Sequence, residues 1–182
     1  MISLILKYSY FLFYLMKKLF LLRHADAPFN SSQSDFDRAL SKKGKEECLY
    51  LNKYFLNNPV PELILCSNAI RTKQTAEIVL NNLSDKTNLI FKQELYNSSI
   101  NNLISIIEDT NDDINTLMVI GHNPSITLLS EILSPTNKHV FPEVSDYAIT
   151  AKLVVLNIDT NNWFPLTNYQ TSILDLVFHK TY

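Results

Sequence analysis

Short, continuously apolar runs alternate with longer mixed stretches along the first two thirds of the chain. The first run, Leu19-Phe20-Leu21-Leu22, has the character of a strand buried on both faces, as in a parallel sheet. The pattern predicts a strand over about Lys18–Leu22, then a polar loop from Pro28 to Arg38. Ser41 reads as an N-cap, and Lys42–Leu56 as an amphipathic helix with Cys48, Leu49, Leu51, Tyr54 and Phe55 inward. Further strands are predicted over 62–66, 88–92 and 116–120, and further helices over 67–81, 101–108 and 124–133. Asn57-Asn58-Pro59 ends the first helix, and Pro124 occupies a first-turn position that tolerates it. Strand–helix alternation of this kind makes the fold α/β with a mainly parallel sheet. Beyond Pro135 the pattern changes, and 148–158 and 172–179 read as two longer strands able to pair as an antiparallel edge.

Length and composition narrow the picture only modestly. The chain has 182 residues, 46% hydrophobic and 19% charged, as expected for one globular domain. Its net charge is −2 and no basic block occurs, so no nucleic-acid partner is expected. With only two glycines, its turns must rely on Asn, Asp and Pro. Cys48 and Cys66 form no disulfide framework and no metal spacing, and read as reduced thiols in a cytoplasmic protein. His139 and His179 lack partners at metal-ligand spacing, so no metal and no other cofactor is expected.

The strongly apolar amino terminus has several readings. A span needs about 20 apolar residues, and Lys7 and Lys17 bracket fewer, so no stable membrane association is expected. Ala25-Asp26-Ala27 matches a signal-peptidase pattern, but cleavage there would remove His24. Met16 is therefore read as the real or an alternative start. Residues 1–15 become an extension and 16–182 a single domain.

Three predicted strand ends carry polar groups: Arg23-His24 after the first, Ser67 with Arg71 one turn on after the second, and Gly121-His122-Asn123 after the fourth. In a parallel sheet these ends share one edge, where ligands bind. Two arginines and two histidines around one point make a phosphate pocket with its own nucleophile.

These segments resemble the histidine phosphatase superfamily, and within it the bacterial SixA-type phosphohistidine phosphatases. The resemblance is carried by 21–27, 37–44, 66–77 and 119–125, in order and at matching spacing, and spans about residues 17–178. It implies a phosphoglycerate mutase-like three-layer α/β/α sandwich with an antiparallel edge. It also implies that His24 is the nucleophile forming a phosphohistidine intermediate, that Arg23 and Arg71 hold the phosphoryl oxygens, and that His122 stabilises the transferring group. Asn30 lies where relatives place a phosphate-contacting asparagine. Ser67 is read as capping the second helix and offering its N–H to anions, and Asp37 and Arg38 as bracing the loop.

Two departures from the family pattern bear on function. Ala25 stands where relatives carry glycine, which is strained if the backbone needs positive φ. The link after the third strand lacks the long insertion with its glutamate donor, and Glu94 is out of place for that role. Asp26 is the other candidate acid, unless it only braces the loop. The short link leaves an open pocket suited to a phosphorylated histidine-carrier protein, so the expected activity is a metal-independent phosphohistidine phosphatase. The alternatives are a phosphatase or mutase of small esters and a non-catalytic phosphate-binding module.

Overall fold

Strand β1 (Met16–Arg23) runs through the interior of a six-stranded sheet in a computed structural model that describes residues 16–29, 31–83, 87–134 and 148–179. The remaining strands are β2 (Leu63–Ser67), β3 (Asn88–Lys92), β4 (Thr116–Gly121), β5 (Leu153–Asp159) and β6 (Thr171–Val177), in spatial order β3-β2-β4-β1-β5-β6. The first four are mutually parallel, and β5 and β6 add an antiparallel edge beside β1. The helices are α1 (Lys42–Leu56), α2 (Ile70–Val79), α3 (Ile100–Glu108) and α4 (Ser125–Leu133).

Because side chains alternate along a strand, β1 feeds two cores. Phe20 and Leu22 pack with Cys48, Leu51 and Phe55 of α1 and with Ala76 and Val79 of α2. Leu19 and Leu21 pack on the opposite face with Leu103 and Ile107 of α3, Leu129 and Leu133 of α4, and Trp163. The result is the expected three-layer sandwich. Cys48 and Cys66 are free and buried, and burial pushes each thiol up to about 12, which keeps them as inert core residues.

Register brings the strand ends together: Arg23 lies beside Gly121, and Cys66 beside Ile120. The capping prediction for α1 holds, since the Ser41 hydroxyl accepts from the Gly44 N–H at 3.0 Å. Other boundaries differ. β1 already takes in Met16 and Lys17, because Lys17, although charged, is buried. Its Nζ donates to the carbonyls of Asp112 and Ile114 and lies over the Trp163 ring. Leu49 faces out, half-exposed, because the inward stripe of α1 runs through Gly44, Glu47, Cys48, Leu51 and Phe55. α2 begins at Ile70 with Ala69 as its N-cap, so Ser67 does not cap it and instead ends β2. β5 starts at Leu153, after an irregular turn in which Ala151 takes φ 49°. Residues 1–15, Asn30 and His139 lie outside the described residues.

Candidate active site

Beyond β1 the chain turns through His24-Ala25-Asp26-Ala27, packed against the starts of α1 and α2. Ala25 is fully buried, its N–H donates to Thr75 Oγ1 at 3.1 Å, and it is not among the positive-φ residues. Alanine is therefore accommodated here, its methyl being part of the α1/α2 core. The next residue is locked three ways. The Asp26 N–H donates to Glu47 Oε2 at 2.9 Å, its carbonyl accepts from the Ser41 N–H at 2.9 Å, and its carboxylate accepts from the Ser41 hydroxyl at 2.5 Å.

These contacts aim His24. Nδ1 lies 2.8 Å from the Ala25 carbonyl, an acceptor, so Nδ1 carries the proton. Nε2 is left with a lone pair, and Arg71 Nε donates to it at 3.2 Å. His122, at the end of β4, has the opposite tautomer. Its Nδ1 accepts from Arg71 Nη2 at 3.2 Å, and Nε2–H donates to the Ser67 hydroxyl at 2.8 Å. The two imidazole centroids are 5.1 Å apart. Burial, with Arg71, Arg23 and Arg38 nearby, pushes His24 down to about 3 against the opposing pull of the Ala25 carbonyl. Burial, His24 and Arg71 do the same to His122. Both rings are neutral near pH 7, as a nitrogen nucleophile must be.

The buried Arg71 guanidinium sits between the histidines and also meets the loop before α1. Its Nη1 donates to the Asp35 carbonyl at 2.5 Å, and its Nη2 to Asp35 Oδ2 at 3.0 Å. Arg38 donates to Asp35 Oδ1 from Nε at 2.9 Å and from Nη2 at 2.8 Å, and a further N–H donates to the Ala27 carbonyl. Tyr96 completes the surround, its hydroxyl donating to Asp35 Oδ2 at 2.8 Å and its ring standing edge-on to His122. Despite partial burial, the Tyr96 hydroxyl, Arg71 and Arg38 hold the Asp35 carboxyl at about 2.

His24, Asp35, Arg38, Arg71 and His122 line a cleft of about 320 Å³, together with Arg23, Asp26, Ala27, Asn97, Asn123 and Thr150. Arg23 reaches it from the end of β1, with Nη1 donating to the Ile149 carbonyl at 3.0 Å. The four residues placed together by sequence, Arg23, His24, Arg71 and His122, thus meet in one cleft, and Asp26 borders it. Ser67 is fully buried behind His122 and does not line the cleft. Glu94 is exposed and also absent from the lining, whereas Arg38 both braces its loop and reaches the cleft.

Sequence reasoning missed Asp35 and Tyr96. The Asp35–Arg38 pair has the i, i+3 spacing of an ion pair and was legible as such. Tyr96 left no signal, because only the path of the short link from β3 to α3 brings it over His122.

Residues 19–103 match the profile of the histidine phosphatase superfamily (branch 1). Over that stretch, a little under half of its length, the chain is similar to the histidine phosphatase superfamily. The cleft lies where the parallel strands end. An uncharacterised protein of Mycobacterium tuberculosis is 28% identical over 141 residues, covering 75% of this chain and 87% of the relative. Among solved structures, a SixA protein from Nakamurella multipartita superposes with a TM-score of 0.73 at 22% identity, covering 89% of this chain and 95% of that one. The protein histidine phosphatase SixA complexed with tungstate gives 0.70 at 21% identity, over 88% and 96% of the two chains. A phosphoglycerate mutase from Plasmodium falciparum gives 0.58 at 21% identity, over 92% and 95%. These superpositions establish a shared fold, including its phosphoglycerate mutase-like architecture. Among the described residues no helix is long and apolar enough to cross a membrane.

Proposed function

We propose that this chain is a histidine phosphatase that removes phosphoryl groups from phosphorylated histidine on a carrier protein, through a phosphohistidine intermediate on His24. The observation that carries the reading is the Nδ1–H bond from His24 to the Ala25 carbonyl, which leaves Nε2 as a lone pair at the cleft beside Arg71. In the first step Nε2 attacks phosphorus, and the P–N bond to the substrate imidazole breaks with its electron pair going to that nitrogen. A proton on the substrate ring's other nitrogen lets it leave as neutral imidazole. His24, now phosphorylated on Nε2 and still protonated on Nδ1, is a cation steadied by the Ala25 carbonyl. Water then attacks phosphorus, the P–Nε2 bond breaks, and inorganic phosphate and a proton leave with His24 restored.

Both steps expel an imidazole, so neither needs the strong acid that an alkoxide leaving group demands. The loose transition state is served by positioning and by fixed charge, which Arg23 and Arg71 supply. Asp26 borders the cleft, and we assign it the role of proton donor there. The modest cleft gives a small ester few contacts beyond its phosphoryl group, whereas a protein can also dock on the rim.

The test compares kcat/KM on a phosphorylated histidine-carrier protein and on phosphoglycerates, in excess chelator. We expect the phosphoprotein to win. A preference of tenfold or more for phosphoglycerates, about 1.4 kcal/mol of transition-state stabilisation, would overturn this reading in favour of a small-ester phosphatase.

A further inference from the structure

Arg71, the arginine assigned to the phosphoryl group, is already engaged. A guanidinium has five N–H donors. Among the described residues, four of them are directed at His24 Nε2, His122 Nδ1, the Asp35 carbonyl and Asp35 Oδ2. An incoming phosphoryl group that takes two donors from this fork must displace an acceptor. Attack by His24 Nε2 would free only one of these donors, Arg71 Nε, and both imidazoles stay buried and fixed from behind by Ala25 and Ser67. Asp35 is different: its side chain is 45% exposed, on a loop whose neighbouring residues 31–35 face solvent.

The Asp35 carboxylate is bound as an anion in a receptor would be. Oδ1 accepts from Nε and Nη2 of Arg38, and Oδ2 accepts from Arg71 and from the Tyr96 hydroxyl. Two arginines and a phenol on one carboxylate form a site for a more highly charged oxyanion.

We propose that Asp35 is a specificity-determining residue, an internal carboxylate that occupies the phosphoryl-binding donors of Arg71, Arg38 and Tyr96 and yields them only to a dianion. A monoanion offers no more charge than the carboxylate it would replace, and leaves that carboxylate without its partners. A phosphoryl dianion, with more charge and three oxygens, meets the same donors more strongly. Discrimination therefore comes from competition, by penalising the wrong ligand. Arg38 and Tyr96 become phosphoryl ligands once Asp35 has moved out. The inference rests on the site binding phosphoryl groups, but not on which molecule carries them.

The experiment measures binding of inorganic phosphate and of formate to the intact protein by calorimetry, for the wild type and for Asp35→Asn. Asp37→Asn serves as the control, because Asp37 is a neighbouring exposed carboxylate bonded to Ser34 and not to Arg71. Asp35→Asn should tighten phosphate about tenfold or more and should make formate binding measurable, while Asp37→Asn changes phosphate affinity by less than about twofold. Asp35→Ala should behave as Asp35→Asn does. Weaker or unchanged phosphate binding in both Asp35 variants would overturn the proposal, and would mean that Asp35 orients Arg71. Equal tightening by Asp37→Asn would also overturn it, because the effect would then be general electrostatics. A wild type that dephosphorylates the carrier protein while the Asp35 variants bind phosphate no tighter refutes this inference alone. A wild type that turns over no phosphoprotein yet shows the tightening refutes only the substrate assignment.

Discussion

At the scale of single residues, the site is defined by where two protons sit. His24 carries its proton on Nδ1, against the Ala25 carbonyl, and His122 carries its own on Nε2, against Ser67. Arg71 fixes both, since it can only donate, and it donates to the other nitrogen of each ring. Burial and the surrounding cations lower both histidines from 6.5 to about 3. Between those values the unfolded chain binds protons that the folded chain refuses, so the fold loses stability as pH falls through 6.5 towards 3. Nitrogen-detected magnetic resonance of the ligand-free protein should find both rings neutral well below pH 6.5, with one proton on each assigned nitrogen. A ring that titrates near its ordinary value would contradict this account.

At the scale of elements, the loop after β1 packs closely against the first turn of α1. Gly44 lies in the first turn of α1, and a Cβ built on it would stand 2.2 Å from the Asp26 carbonyl oxygen. That carbonyl cannot retreat, because it accepts from the Ser41 N–H while the Asp26 N–H is held by Glu47. Gly44→Ala should therefore destabilise the fold by about 1–3 kcal/mol, the usual penalty of overpacking, and lower turnover by displacing His24. Chemical denaturation checks the first effect, and a variant as stable as the wild type would refute the contact argument. The glycine is needed for space alone, since it is not among the residues with positive φ.

At the scale of the whole molecule, the sheet explains what was legible in the sequence. The apolar runs of β1, β2 and β4 have their length and composition because they are buried on both faces, so periodicity located them. The same burial made Arg23, His24 and His122 conspicuous, as polar groups that directly follow apolar strands. Ser67 was misjudged because its role depends on a neighbouring strand: it faces His122 across the sheet edge, and α2 takes Ala69 as its cap. Leu49 was misjudged because buried Glu47, which bonds the Asp26 N–H and the Thr150 hydroxyl, takes part of the inward face of α1. The meeting of Asp35 with Tyr96 was out of reach because it forms only after two loops, 61 residues apart, fold over the same arginine. What remained hidden was the surround of the cleft, while the four strand-end and helix residues that meet in it were readable.

His24 Nε2 is the proposed acceptor of the phosphoryl group. This assignment is tested most directly by mixing the protein rapidly with a phosphorylated histidine-carrier protein, quenching in base and locating the phosphate by mass spectrometry. The expected product is an acid-labile, base-stable phosphate on His24, absent from the folded His24→Ala variant, which should also show no turnover. Phosphate trapped on a different residue, or sustained turnover by His24→Ala, would contradict the assignment.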